Sequence, residues 1–310
     1  MKPSRTGAYI SVILANFFWG LTFVLFKFAN ESFRPISIAF LRLFISIFFL
    51  FGFALLLKRL GKIKRKDQKW FLLMALFEPF FYFLGEANGL TMVSATVGAV
   101  IISTIPLIVP FGAYYLYKEK LSRMNHIGLV ISFAGVLMVI LNKSNGSASD
   151  PLGILLMFLA VLSAVGYTLL VKRLLDDYNP ITITAYQSLY GLIMFLPLFL
   201  FKELPLIEWS AVTKSSLLAL LYLGVFGSGV CFILLTVGIR ELGAARANIF
   251  ANLIPVVTAT VSFFLLKEAM PLIKIAGIMV VIAGLLMTQV SSINWKLPAK
   301  KGRFRHPPNS

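Results

Sequence analysis

GLTMVSATVGAVIISTIPLIVPFGAYYLYKE, residues 89–119, returns at 238–268 as GIRELGAARANIFANLIPVVTATVSFFLLKE. One offset of 149 carries Gly89 onto Gly238, Ala95 onto Ala244, Pro106 onto Pro255, and Lys118-Glu119 onto Lys267-Glu268. The same offset takes Gly128, Gly135 and Met138 onto Gly277, Gly284 and Met287. A biased apolar composition multiplies chance matches of Leu, Ile and Val, but not of Pro, Gly and a Lys-Glu pair. The chain is two copies of one unit.

Composition says where that unit lives. The chain is 59% hydrophobic, with a mean hydropathy of +0.88 and only 13% charged residues. A soluble domain is about a quarter charged. The 310 residues leave room for many apolar segments of roughly 20 residues, each enough to cross a bilayer. One cysteine, Cys231, excludes an internal disulfide and a Cys-based metal cluster. Two histidines, His126 and His306, argue against a His-ligated metal, and no cofactor is expected.

The fold expected is an all-α polytopic membrane protein. Ten transmembrane helices are read at about 8–28, 36–57, 70–90, 96–117, 125–141, 152–171, 181–201, 215–238, 245–266 and 272–290. They group into a first repeat, 8–141, and a second, 152–290, separated by a polar external linker, 142–151. A basic cytoplasmic tail, 291–310, closes the chain.

Ten spans put both termini on one side, and the basic residues say which. With both termini inside, the inside segments hold Lys2, Arg5, seven Lys or Arg in 58–69, Lys118, Lys120, Arg123, Lys172, Arg173, Arg240, Arg246 and five in the tail. The outside segments hold Arg34, Lys143, Lys202, Lys214, Lys267 and Lys274. Cytoplasmic loops are enriched in Lys and Arg, so the termini are expected in the cytoplasm of a plasma (inner) membrane protein. The net charge of +17 is mostly this bias, with attraction to anionic headgroups on that side, and nucleic-acid binding is not needed to explain it. Five spans per copy turn the second copy over relative to the first. Inverted repeats are a common construction of secondary transporters.

Trp19-Gly20, Pro35 followed by Arg42, the Gly-x5-Ala-x10-Pro pattern and the Lys-Glu pairs resemble the EamA-type drug/metabolite transporters. The likeness covers nearly the whole chain. The second copy departs from the first: Gln187 follows Pro180 by seven residues where Arg42 follows Pro35, and Gly227 and Leu235 replace Glu78 and Glu86. The resemblance implies a secondary active transporter that moves a small metabolite (an amino acid, a related metabolite or a drug-like compound) by alternating access, usually outward, along a pathway between the halves. The alternatives are a passive channel and a membrane scaffold without transport. No nucleophile with a base, carboxylate-rich loop or phosphate loop points to an enzyme. A homodimer is compatible with the sequence.

Charges inside spans mark a pathway or a pair, since each costs about 2.5–3.5 kcal/mol on insertion. Glu78 lies about 12 Å along its helix, near the midplane, and Glu86 two turns further out on a nearby face. Arg42 sits at a depth similar to Glu86, so an Arg42–Glu86 pair is expected, either architectural or functional. No cation of the second helix is expected level with Glu78, which makes it the candidate functional carboxylate, protonatable or substrate-binding. Lys27 is expected to reach the headgroups. Asn248 and Asn252 share a helix face just before Pro255, and their counterparts Ala99 and Ser103 do the same before Pro106. They are read as pathway candidates or as interhelical hydrogen-bonding groups. Trp19, Phe23, Tyr82 and Tyr167 could shape an apolar pocket. Asp176-Asp177, half of an acidic metal motif, is read as a solvated loop beside Lys172 and Arg173.

Overall fold

The computed structural model describes residues 5–117, 123–141 and 150–293, and every regular element among them is a helix. The Lys118-Glu119 pair, positions 142–149 of the linker and the tail from 294 lie outside the described residues. Seven helical stretches are long and apolar enough to cross a membrane: Arg5–Ala29, Pro35–Leu56, Arg65–Met92, Ala95–Gly112, Pro151–Leu174, Pro180–Leu206 and Lys214–Leu242. Three shorter apolar helices, His126–Ile140, Leu253–Leu265 and Leu272–Gly284, accompany them. Their outer faces carry side chains such as Phe48, Leu155, Leu162, Phe201 and Phe264, which water would not tolerate in such number and hydrocarbon does.

The elements are α1 (Arg5–Ala29), α2 (Pro35–Leu56), α3 (Gln68–Ala75), α4 (Tyr82–Met92), α5 (Ala95–Ile102), α6 (Ile105–Tyr117) and α7 (Arg123–Ile140) in the first half. The second half holds α8 (Pro151–Leu174), α9 (Pro180–Leu198), α10 (Lys214–Tyr222), α11 (Cys231–Leu242), α12 (Ala244–Asn248), α13 (Leu253–Leu265) and α14 (Leu272–Ile293). Both halves are interrupted at the same places. A π-helical segment, Leu76–Phe81, joins α3 to α4, and another, Leu223–Val230, joins α10 to α11. The repeat offset lays the first inside the second. Likewise a 3-10 turn, Ile249–Asn252, joins α12 to α13 where Ser103 and Thr104 separate α5 from α6.

Local chemistry accounts for these breaks. Pro79 has no N–H to give, and a residue before proline is pushed out of the helical region. Glu78 accordingly has extended dihedrals, φ −144° and ψ 115°. Helix starts follow rule as well: Asp150 and Asn179 cap α8 and α9 ahead of Pro151 and Pro180, accepting from Leu152 N (2.8 Å) and Thr182 N (2.9 Å). The residue before α2, Arg34, makes no cap. A carboxylate from the far half serves instead, Glu203 accepting from Ile36 N (3.2 Å) and Ser37 N.

Packing between the halves is reciprocal. α1 lies on α11 while α4 lies on α8, and α1 meets α13 while α5 and α6 meet α8. α2 meets Leu223–Val230 while α9 meets Leu76–Phe81. The α7–α14 crossing explains the repeated glycines. A Cβ on Gly135 would stand 2.7 Å from Gly277 O, and one on Gly284 would stand 2.6 Å from Gly128 O. Two backbones touch there, so only glycine fits.

One expectation about side chains comes out differently, and the solvated loop expected at Asp176-Asp177 is found. Lys27 does not reach outward to headgroups: its Nζ donates to Leu90 O and to Val93 O (2.7 Å), the free carbonyls that end α4. A helix C-terminus carries partial negative charge, and a cation beside it satisfies that charge inside the protein. Asp177 of the Asp176-Asp177 pair is held at the surface by Lys64 (3.1 Å), tying the basic loop 58–67 to the α8–α9 connection. Gly61 N–H adds a bond to Thr182 Oγ1 (2.8 Å), and Asn179 Nδ2 one to Arg59 O (2.9 Å).

Candidate functional site

Two of the interruptions, at Glu78 and at Ala251, border a cavity between the halves, with about 60 Å³ open to the centres of water-sized molecules. One water needs roughly 10–15 Å³ on that measure, so a few waters fit and a metabolite does not without movement. Its walls are paired by the repeat: Ile102 with Ala251, Ile105 with Ile254, Phe83 with Phe232, and Glu86 with Leu235. The cavity therefore lies where the two copies face each other.

Eight residues singled out from sequence line it: Trp19, Phe23, Arg42, Glu78, Tyr82, Glu86, Tyr167 and Asn248. Arg42 and Glu86 form an ion pair, Nη1 to Oε2 at 3.2 Å, with both side chains buried. Glu86 also accepts from Tyr82 OH (3.0 Å). Arg42 Nε donates to Ser228 Oγ (2.8 Å) in the other half, and its guanidinium lies 4.0 Å above the Phe83 ring centre. Trp19 Nε1 donates across the halves to Gly227 O (3.0 Å), and Thr258 Oγ1 to Gly20 O (2.7 Å).

Glu78 is buried, faces this cavity, and makes no hydrogen bond or ion pair among the described residues. The expectation that no cation of the second helix lies at its level needs correction, because Arg42 lines the same space. Depth counted at 1.5 Å per residue assumes an unbroken helix, and the π-helical segment with extended Glu78 violates that.

One candidate does not join the site, and the side chain of another is not described. Ser103 is fully buried, and its hydroxyl donates to Val100 O (2.7 Å) within its own helix end. Asn252 contributes backbone to the 3-10 turn, and its side chain lies outside the described set. Asn248 lines the cavity while its Nδ2 donates to Ala244 O (2.8 Å). Sequence reading missed Asn16, Thr22, Phe83 and Phe232, which also line the cavity. Asn16, an amide in the middle of the first apolar run, was the signal that could have been used.

The chain after α13 is fastened to the start of α5 by Glu268. It accepts from Lys274 (2.5 Å) and from Thr96 Oγ1 (2.9 Å) at the start of α5. Burial would raise its carboxyl, but hydrogen bonds from Lys274, Ser94 and Thr96 outweigh that and hold it below its ordinary value. A depressed carboxyl contributes stability above its unfolded value and loses it only as acid protonates it, so the fastening is intact at neutral pH.

Comparison with known proteins agrees with this architecture. The EamA-like transporter family matches the chain twice, over residues 6–141 and 151–290. An uncharacterized transporter of Archaeoglobus fulgidus is 30% identical over 89% of this chain and 96% of its own length. The uncharacterized transporters YetK and YcxC of Bacillus subtilis are 26% and 27% identical, each over 94% of this chain and over 89% and 95% of their own lengths. A crystal structure that is 16% identical shares the fold, with a TM-score of 0.71 over 93% of this chain and all of the other. The chain belongs to the EamA-like transporter family, and it is a multi-pass membrane transporter.

Proposed function

We propose that the protein is a secondary active transporter which exports a small metabolite across the plasma membrane by alternating access. The observation that carries this is the cavity: it sits between the copies, is lined in pairs by repeat-related positions, and is too small for a metabolite in this conformation. In this reading ten spans form two inverted five-helix repeats. Reciprocal packing supports it, since a two-fold relation makes every contact between unlike elements occur twice. The Glu268 fastening closes one side, and the opposite side opens when the halves rock. Glu78 is the carboxylate that carries a proton or holds the substrate. Anionic headgroups face the basic loop 58–69.

Orientation has its own test. After Cys231→Ser, a membrane-impermeant thiol reagent added to intact cells should label Gly146→Cys and leave Lys64→Cys unlabelled. The reverse pattern would overturn the topology. For transport, the metabolite contents of cells with and without the protein are compared, and the compound that differs is assayed in proteoliposomes. Uptake of labelled compound should saturate and should accelerate when unlabelled compound is preloaded inside. Flux that neither saturates nor accelerates would identify a channel.

A further inference from the structure

Two carboxamides, one from each half, border the cavity with a donor in use and an acceptor free. Asn16 of α1 and Asn248 of α12 are 2% and 7% exposed, and both line the cavity. Asn16 Nδ2 donates to Val12 O (2.7 Å), and Asn248 Nδ2 donates to Ala244 O (2.8 Å). A carbonyl oxygen only accepts, so in each amide the nitrogen is the atom turned to it. The two Oδ1 atoms remain, and neither accepts a hydrogen bond among the described residues.

Packing sets the two amides on one stretch of wall. α1 runs past α12 and past the 3-10 turn that follows it. A Cβ on Gly238 would collide with Val12 and stand 3.5 Å from Ala247 Cβ. The residue one turn before Asn16 and the residue just before Asn248 therefore close on the same point. Asn16, Trp19 and Phe23 succeed one another at helical spacing on the face of α1 that lines the cavity. The other half does not repeat the pair. α8, the counterpart of α1, contains no carboxamide, and Ala99 stands where Asn248 does.

The other side-chain donors that α1 and α4 bring to the cavity are in use. Trp19 Nε1 goes to Gly227 O, the Thr22 hydroxyl to Trp19 O (2.7 Å) and the Tyr82 hydroxyl to Glu86. We propose that Asn16 and Asn248 form a subsite for an uncharged N–H or O–H donor group, so that the substrates carry a carboxamide, a hydroxyl or a similar group on a partly apolar body. The assignment rests on the transporter reading above and adds the substrate's chemistry to it. Neither amide carries a charge, and a buried ammonium needs an opposite charge beside it. A neutral donor needs only an acceptor, which the two oxygens supply. The charged residues of the cavity, Arg42, Glu78 and Glu86, stand on α2 and on the Leu76–Met92 stretch instead. Trp19, Phe23 and Ile254 supply apolar wall for the rest of the molecule.

The test is calorimetric titration of the purified full chain in detergent at pH 7 with benzamide and with N,N-dimethylbenzamide, which has lost both N–H donors. Benzamide should bind at least about tenfold more tightly, since a ligand without the donor leaves buried acceptors unpaired. Asn16→Leu and Asn248→Leu should each weaken benzamide by about tenfold and leave N,N-dimethylbenzamide unchanged. Both variants should melt at or above the wild-type temperature, because each loses only a bond to its own preceding turn. No binding of benzamide, equal affinity for the two probes, or unchanged benzamide affinity in both variants would overturn the subsite. So would a lowered melting temperature in both variants, which would mark the amides as structural. Selective benzamide binding without metabolite flux would leave the subsite standing and remove the transport reading; flux without benzamide binding would do the opposite.

Discussion

Glu78→Gln is expected to abolish coupled transport while the protein remains in the membrane at near wild-type abundance. The substitution keeps size and hydrogen-bonding capacity and removes only the ability to ionise. Nothing in the fold depends on that ionisation: Glu78 makes no hydrogen bond or ion pair among the described residues, and the break beside it is imposed by Pro79. The titratable and charged groups around it are Glu86 and Tyr82 on α4, Arg42 on α2 and Tyr167 on α8. Arg42 and Tyr82 are both bonded to Glu86, which leaves Glu78 as the group free to exchange a proton or a ligand. Flux measured across a pH series should lose its pH dependence together with its magnitude. Wild-type flux at every pH would remove Glu78 from the mechanism, and a parallel fall in abundance would make it a structural acid.

The second large effect concerns Arg42 and Glu86. Removing one partner of a buried pair strands the other charge, at a cost of about 3–5 kcal/mol. Glu86→Leu or Arg42→Met alone should therefore deplete the protein from the membrane. The double variant should restore abundance, because replacing a buried pair by apolar residues of similar volume is often neutral or stabilising. It should not restore flux, since the guanidinium lines the cavity and holds Ser228 of the opposite half. Abundance and flux recovering together would make the pair purely architectural, and a double variant no more abundant than the single ones would refute the pairing argument.

Much of this arrangement could be read from sequence because its signals are local or repeated. The offset of 149 located the copies, and it also relates the helix interruptions, since Pro and Gly act on their own turn of chain. The Arg42–Glu86 pair was legible because Arg42 lies a short count from the start of α2 and Glu86 a short count from the end of α4, clear of the break at Glu78. Contacts made across the fold were not. Nothing near Lys27 in sequence announces that the end of α4 will need a cation, and nothing near Pro35 announces that Glu203 will cap α2. Asn248 and Ser103 were both singled out as polar residues ahead of a repeated proline, but each turns its donor to a carbonyl of its own segment, and only Asn248 also borders the cavity. Gln187 was noticed as a departure between copies, yet nothing near it in sequence announces that Tyr167 lies beside it.

The crowding at Gly227 bears on how such a protein could have arisen. A Cβ there would stand 3.0 Å from Arg42 Nη2 and 3.0 Å from Thr22 Cγ2, so the guanidinium fills the volume that a second glutamate would need. Two identical half-length chains would carry the arginine and the acid twice each, and both halves would have to house both. Gene fusion lifts that restriction, because one half can keep its carboxylate while the other reduces the same position to glycine. The joined chain thereby carries one copy each of Glu78 and of the Arg42–Glu86 pair at the interface of two near-equal halves, a sidedness that two identical chains do not encode.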